Sequence, residues 1–401
     1  MNQLLKSYSP VLILRSIICC TLFFIAATGY AMPDGDDEAT TKLPGDSVAE
    51  SRNIFVRLYD FVMSPDTTKI TGKPKYNFFA GPSYSVDTKF NLGLLLTGAY
   101  TTDPSDTTLM NSFISFPGQV STGGYYMIGI EGTHVSPHDT RRLNYASRIS
   151  FFSPSFWGLG FQEERNDDIR TKYQRITYSL NSDYQFHTVH SIYVGPSLHF
   201  NYTHAMRIRD ISLWHGQPMT TMSLGAGFVI SYDTRDNLNS PYKGIFVEVV
   251  NRFYPDIFGH RSANFNITEV ETNYYHTLWR GGVIATHFHG AFTLGTALWT
   301  MMPQLGGHMG FRGYYEGRYR DRNEMNVMAE LRQHVWRRFG FVTWVGAGTV
   351  FHDFSQVQYK NLLPTLGLGL RFELRQRTNI CLDLGFGRGE MGVAFQLNEV
   401  F

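Results

Sequence analysis

The stretch that decides the fold is Leu366-Gly367-Leu368-Gly369-Leu370-Arg371-Phe372-Glu373-Leu374-Arg375. Its even positions are all large and apolar, while its odd positions are glycine or charged. Successive side chains of a strand point to opposite faces, so period two is the mark of a strand. The same pattern recurs in 379–387, where Ile380, Leu382, Leu384 and Phe386 alternate with Asn379, Cys381, Asp383, Gly385 and Gly387. In 324–335, Met325, Val327, Ala329, Leu331 and Val335 oppose Glu324, Asn326, Glu330, Arg332 and His334. A strand of a soluble sandwich also alternates. Two details separate the cases. The polar face here mixes glycine with ions of both signs, as a packed polar lumen requires. The runs are also about 10–13 residues long, beyond the ~5–6 of soluble sheets and matched to a tilted membrane strand.

Sixteen such segments are expected: 76–86, 90–100, 108–118, 123–135, 141–152, 170–182, 188–203, 219–232, 243–254, 263–276, 282–295, 324–336, 340–351, 362–374, 378–387 and 391–400. The fold class is therefore all-β, a transmembrane antiparallel barrel of about 16 strands. An even count returns both ends to the same side. The odd-numbered connections 153–169, 204–218 and 296–323 are long, and the even-numbered 277–281, 337–339 and 375–377 are short. Long connections belong outside the cell and short turns in the periplasm.

Composition agrees. Aromatics are 15%, there are 38 glycines, and charged residues are only 17%, below the roughly one quarter usual in soluble domains. The formal net charge of +1 offers no basic face for nucleic acid. Residues 1–31 read as a secretory signal: Lys6 and Arg15, an apolar run from Ile17 to Ala27, and small Gly29 and Ala31 at the cleavage positions. Its removal takes away Cys19 and Cys20 and leaves Cys381 alone, so no internal disulfide is expected. After Ala31 no run of 18 apolar residues occurs, which excludes a helical membrane domain. Residues 32–75 form a short periplasmic segment, acidic at first, with a short helix expected over 53–63 (Ile54, Phe55, Leu58, Phe61 and Val62 on one face). That helix is a lead-in or a plug of the barrel.

The connection between the expected strands 11 and 12 contains Gly310-Phe311-Arg312-Gly313-Tyr314-Tyr315-Glu316-Gly317-Arg318-Tyr319-Arg320-Asp321. Ser231-Tyr232-Asp233-Thr234-Arg235-Asp236-Asn237-Leu238-Asn239-Ser240-Pro241-Tyr242-Lys243-Gly244 precedes it, between strands 8 and 9. The glycine-leucine strand and a final strand ending in Phe395, Leu397 and Phe401 follow it. In this order the motifs resemble the BamA/TamA-type outer-membrane assembly superfamily, the bacterial surface antigen barrels, over roughly 76–401.

The resemblance implies that the 296–323 loop folds into the lumen and that Arg312, in the Arg312-Gly313-Tyr314 tip, pairs with acidic residues of the inner wall. A buried guanidinium needs a carboxylate, and the alternation offers Glu330, Glu373 and Asp383. Gly313 permits a tight turn. One departure stands out. The acidic position on strand 13 in such barrels is occupied here by Gly346, in Trp344-Val345-Gly346-Ala347-Gly348, so the pairing must rest on strands 12, 14 and 15. Members that handle polypeptides carry POTRA repeats before the barrel, and residues 32–75 are too few for one, so a short form is expected. Asp233, Arg235, Asp236, Pro241 and Gly244 read as a structured periplasmic turn held by Asx turns and ion pairs. Phe395, Leu397 and Phe401 match the terminal signal that the cell's barrel-assembly machinery reads.

Other chemistry finds little support. His287 and His289 share a face of strand 11 without a third ligand at metal spacing. No nucleophile motif or phosphate-cradling loop stands out. No cofactor is expected, and the chain is not read as an enzyme. The expected function is insertion, translocation or assembly of proteins, or lipid transfer, at the outer membrane of a Gram-negative bacterium. Strand 1 carries Gly81 and Pro82, and Pro82 lacks a ladder donor, so the seam between strands 1 and 16 is expected to be weak. Outer-membrane lipids, unfolded outer-membrane proteins and an accessory subunit are the partners this implies. The rival is a structural or binding barrel, a surface antigen without insertase activity; a rim enzyme and a porin are remoter readings.

Overall fold

The computed structural model describes residues 75–401 except 86–87, 107–108, 162–168, 239, 260–263, 307–309 and 376. The expected signal (1–31), the segment 32–74 and its helix at 53–63 lie outside the described residues. Sixteen long strands form one antiparallel sheet in chain order. The first eight are β1 (Lys75–Ser85), β2 (Lys89–Tyr100), β3 (Ser112–Ser121), β4 (Tyr126–Val135), β5 (Arg141–Phe152), β6 (Gln174–His187), β7 (Ile192–Met206) and β8 (Thr220–Asp233). The rest are β9 (Gly244–Tyr254), β10 (Phe265–Trp279), β11 (Gly282–Gly295), β12 (Asn323–Trp336), β13 (Phe339–Phe351), β14 (Leu363–Arg375), β15 (Thr378–Phe386) and β16 (Met391–Leu397).

The two faces are inverted relative to a soluble sheet. Leu366, Leu368 and Leu370 are 57%, 59% and 54% exposed, whereas Thr365, Gly367, Gly369 and Arg371 between them are buried. The leucines point outward to hydrocarbon and the polar face lines a packed interior, as in an outer-membrane barrel. β1 and β16 lie side by side, but among the described residues no hydrogen-bonded register joins them.

Strand ends depart from expectation in several places, among them β4, which begins at Tyr126 rather than 123, and β10, which ends at Trp279 rather than 276. β6 and β7 extend about four residues later than the segments 170–182 and 188–203. Their turn is Thr188–Ser191, where His190 (φ 50°) and Ser191 (φ 71°) are left-handed. Such turns usually announce themselves with Gly or Asn, and this one has neither. β3 begins at Ser112 rather than 108, because Leu109 N–H bonds back to Asp106 O (3.4 Å) in a turn. β16 ends at Leu397 rather than 400, for a reason given below.

The long connections 153–173, 207–219 and 296–322 leave the same end of the barrel. Phe156, Tyr173, Trp214 and Trp299, one or more from each, form a fully buried aromatic cluster. Phe156 stacks on Trp214 at 4.2 Å between centroids, and Trp299 meets both edge-on. The three loops are thereby tied into a cap over the outer end. On the opposite side most turns are short, but 101–111 and 234–243 are long.

Candidate functional site

Loop 296–322 leaves β11, forms a two-residue ladder with itself (Gln304–Leu305 against Tyr319–Arg320), and carries its tip into the lumen. Phe311, Arg312 and Tyr314 are all buried there. Arg312 Nη2 donates to Glu330 Oε2 of β12 (2.5 Å), and Nη1 donates to Asp383 Oδ2 of β15 (2.6 Å). The guanidinium lies 3.7 Å from the centroid of Trp344 on β13. Its carbonyl accepts from Thr365 Oγ1 of β14 (2.5 Å). One residue therefore touches four adjacent strands.

These contacts are part of a closed ring of charges. Glu330 also accepts from Arg332 Nε (2.7 Å); Arg332 faces Glu399 at 3.9 Å; Glu399 accepts from Arg371 Nε (2.8 Å); Arg371 Nη1 donates to Asp383 (2.5 Å). Three guanidiniums alternate with three carboxylates, and no side chain of the six is more than 8% exposed. Burying a charge is costly unless it is paired and hydrogen-bonded. The ring meets that condition with no net charge, and Arg312 is the one member that the loop supplies.

Glu373, named with Glu330 and Asp383 as a partner of Arg312, is not among these contacts. It pairs in register with Asn379, four residues below the level of Gly369 and Asp383. At ~3.3 Å per residue that is roughly 13 Å along the strand. Its Oε1 instead accepts from the Arg377 N–H (3.0 Å) in the β14–β15 turn. Gly346 does face the lumen on β13, and Glu330 lies directly across from Trp344 in the β12–β13 register. The carboxylate missing from β13 is thus supplied by the neighbouring strand. Arg332, Arg371 and Glu399 complete the ring beyond the residues that the sequence points to. The first two were legible as lumen-facing positions; Glu399 was not.

Gly313 makes the close approach possible. Its φ is +102°, and an added Cβ would sit 2.9 Å from the backbone carbon of Phe386. A Cβ on Gly385 of β15 would sit 2.8 Å from Gly313 N. Two bare backbones meet here, so neither strand nor loop can accept a side chain. Beyond the tip, Tyr314 donates to Pro364 O (2.6 Å) and accepts from Arg388 N (2.8 Å). Tyr315 N–H donates to Glu390 (2.7 Å), which also pairs with Arg318 (2.9 Å).

Residues 77–386 match the Omp85 superfamily domain. The chain belongs to the Omp85 superfamily. Its structure is similar to BamA from Haemophilus ducreyi lacking POTRA domains 1–3 (TM-score 0.53, 13% identity, 82% of this chain and 70% of that one). It is also similar to CdiB from Acinetobacter baumannii (TM-score 0.54, 12% identity, 80% of this chain and 59% of that one). CdiB from Escherichia coli gives a TM-score of 0.51 at 12% identity, over 86% of this chain and 69% of that one. No curated protein matches the chain.

In this Omp85 barrel the turn between β8 and β9 does more than set register. Asp233 accepts from Arg235 Nε (2.9 Å) beside it and from Arg142 Nη1 of β5 (2.8 Å). Asp236 accepts from the N–H groups of Tyr242 (2.9 Å) and Lys243 (3.3 Å), and Gly244 takes φ +114° where the chain enters β9. Pro241 is buried. From the far wall, Arg377 donates to Asp236 Oδ2 (2.8 Å) and Ser240 O (3.0 Å), with the Tyr242 ring at 3.7 Å. The turn is a strap reaching from β8–β9 to the β14–β15 turn.

The terminal segment corrects a reading. Strict alternation aims Glu399 and Phe401 outward with Val393 and Phe395. Asn398 instead adopts φ +67°, which ends β16 at Leu397 and reverses the phase. Glu399 then enters the charge ring, and Phe401 stacks on His287 of β11 at 4.7 Å inside the lumen. Phe401 is therefore no interfacial belt residue, while Phe395 remains on the strand, half-buried. His287 and His289 are held singly, by Asn273 (2.6 Å) and Glu324 (2.7 Å). At the seam, Gly81 is buried opposite Gly93, and Pro82 pairs with Leu92.

Proposed function

We propose that this Omp85 barrel acts in the insertion, translocation or assembly of proteins, with lipid transfer as a variant, at the outer membrane of a Gram-negative bacterium. The observation that carries the reading is the seam. Every neighbouring pair of strands from β1 to β16 is joined by a hydrogen-bonded register, and among the described residues β1 and β16 are not. β16 has 7 residues against 11 in β1, and Pro82 has no N–H to give to a ladder. An edge that offers unpaired backbone groups is a template for an incoming strand. The charge ring stiffens β12–β15 and, through Glu399, anchors the segment that follows β16, so sideways opening is directed to the edge of β1.

The BamA and CdiB likeness supports the fold of this reading, and the seam supplies its mechanism. Unfolded outer-membrane proteins or an accessory subunit are the proposed partners, with outer-membrane lipids as the surroundings. The cell's barrel-assembly machinery inserts the protein itself. The role needs no catalytic residue and no cofactor. Deleting the gene and comparing outer-membrane protein and lipid content with the parent tests it. Depletion of particular outer-membrane proteins, or an altered lipid content, is expected. An unchanged membrane would leave only the binding or structural barrel.

A further inference from the structure

At the capped end, the loops 153–173, 207–219, 296–322 and 352–362 enclose a cavity of about 500 Å³, the size of a small-molecule site. No member of the charge ring lines it. Its walls are of two kinds. Phe161, Ala297 and Val350 are buried, and with the half-buried Leu159 and Met302 they make an apolar side. The polar side carries one carboxylate, Asp321, and one guanidinium, Arg322. His352 stands between them, its Nδ1 3.6 Å from Asp321 Oδ1 and its Nε2 3.4 Å from Arg322 Nη1. Gln217, Gln356 and Asn361 lie on the same side.

Two buried atoms of this side have no partner among the described residues. Asn361 is 5% exposed, and its Nδ2 donates to Gln356 O (2.7 Å), but its Oδ1 accepts from nothing. Arg322 Nε donates to nothing. A buried polar group without its hydrogen bond is costly. One of these atoms lacks a donor and the other lacks an acceptor. The two glutamines add donors: Gln217 Oε1 accepts from Trp299 N (3.3 Å) and Gln356 Oε1 from His352 N (2.8 Å), so both keep their amide NH2 groups for a ligand.

This mixture selects the chemistry of the ligand. An anion would set its charge against Asp321 and leave Asn361 Oδ1 without a donor. A cation would meet Arg322 and leave its Nε without an acceptor. A hydroxyl donates and accepts at once, so neighbouring hydroxyls on one ring supply both missing partners. Water meets only the polar half, whereas the C–H face of a sugar ring also covers the apolar half. We infer that this cavity binds a neutral saccharide unit, held by Asn361, Arg322 and the two glutamines against Phe161 and Met302. The site belongs to the loops alone, so its failure would leave the seam reading standing.

The test uses the purified full chain in an oxyethylene detergent, which has no sugar headgroup. An array of neutral, phosphorylated and carboxylated oligosaccharides is the probe, and calorimetry gives the Kd of the neutral one retained best. Wild type should retain at least one neutral saccharide about tenfold better than its acidic counterparts. Asn361→Leu removes the unpartnered acceptor and should weaken binding about tenfold. Gln356→Ala, at an exposed position, should weaken it about threefold in a barrel that still shifts on heating in a gel, and it decides the matter if Asn361→Leu does not fold. Retention of no neutral saccharide, equal retention of the acidic counterparts, or wild-type affinity in the folded variants would overturn the site. Competition by free saccharide, or by polysaccharide detached from its lipid, separates a soluble sugar from a surface glycan, and either upholds the site. Competition by intact glycolipid alone would overturn the sugar as the part recognised.

Discussion

Replacing Arg312 with alanine should destabilise the barrel by about 3–5 kcal/mol, the range for removing one partner of a buried ion pair. The geometry explains why the cost is high. Arg312 serves Glu330 and Asp383 at once, both essentially inaccessible to water. Without it the ring keeps two guanidiniums for three carboxylates, and one negative charge is left uncompensated in a place water does not reach. The cation–π contact with Trp344 disappears as well, which is worth up to about 2 kcal/mol in a desolvated site. The expected result is a lower urea midpoint in detergent and loss of the heat-modifiable band at temperatures that wild type survives. Arg312→Lys should recover only part, since a single ammonium cannot fork between two carboxylates as a planar guanidinium does. In a double-mutant cycle, Asp383→Asn added to Arg312→Ala should cost much less than it does alone. A wild-type midpoint for Arg312→Ala would show that the ring contributes nothing to holding the loop.

Gly313→Val should have an effect of similar size by a different route. A valine cannot adopt φ +102° without strain of about 1–3 kcal/mol, and its Cβ would fall 2.9 Å from the backbone of Phe386. A strand backbone held in a ladder on both sides cannot retreat, so the loop must move. As it lifts, Arg312 leaves its carboxylates and the lumen opens. Planar-bilayer recordings should then show a larger conductance than wild type, together with lower stability. Gly389→Val is the control: its φ is +75°, but a Cβ there meets nothing within 4 Å. It should carry the strain without the collision and keep a wild-type conductance. Equal behaviour of the two variants would mean that the contact of bare backbones at Gly313 and Gly385 does not set the loop's position.

The fold was legible because hydrocarbon and a polar lumen impose opposite demands on alternate residues. Leu366, Leu368 and Leu370 against Gly367, Gly369 and Arg371 show both demands within six residues. The loop tip was legible through Arg312-Gly313-Tyr314, and two of the three carboxylates suggested for it are those it touches. Glu373 failed because alternation tells which face a residue takes and says nothing of its height, which depends on register. Glu399 and Phe401 failed because a single left-handed residue, Asn398, reverses the phase, and a lone asparagine is a weaker mark of a turn than a glycine or proline. The turn at Thr188–Ser191 escaped for the same kind of reason. The strap from Asp236 to Arg377 joins residues 141 positions apart, and no local pattern contains such a contact.

These parts divide the barrel into a fixed and a free side. The ring, the bare-backbone contact at Gly385 and the strap engage β12–β15, the turns between them and, through Glu399, the segment after β16, and the aromatic cap ties the long loops. β1 has none of these restraints, and β16 has only those at its two ends, Glu399 in the ring and Glu390 against the loop. The seam can be tested directly with cysteine pairs placed across residues 78–84 and 393–399, in proteoliposomes given an unfolded outer-membrane barrel as substrate. Insertion of that substrate should stop when the pair is oxidised and resume when reductant is added. Insertion at the same rate in the oxidised and reduced protein, with the cross-link shown to be complete, would contradict the account.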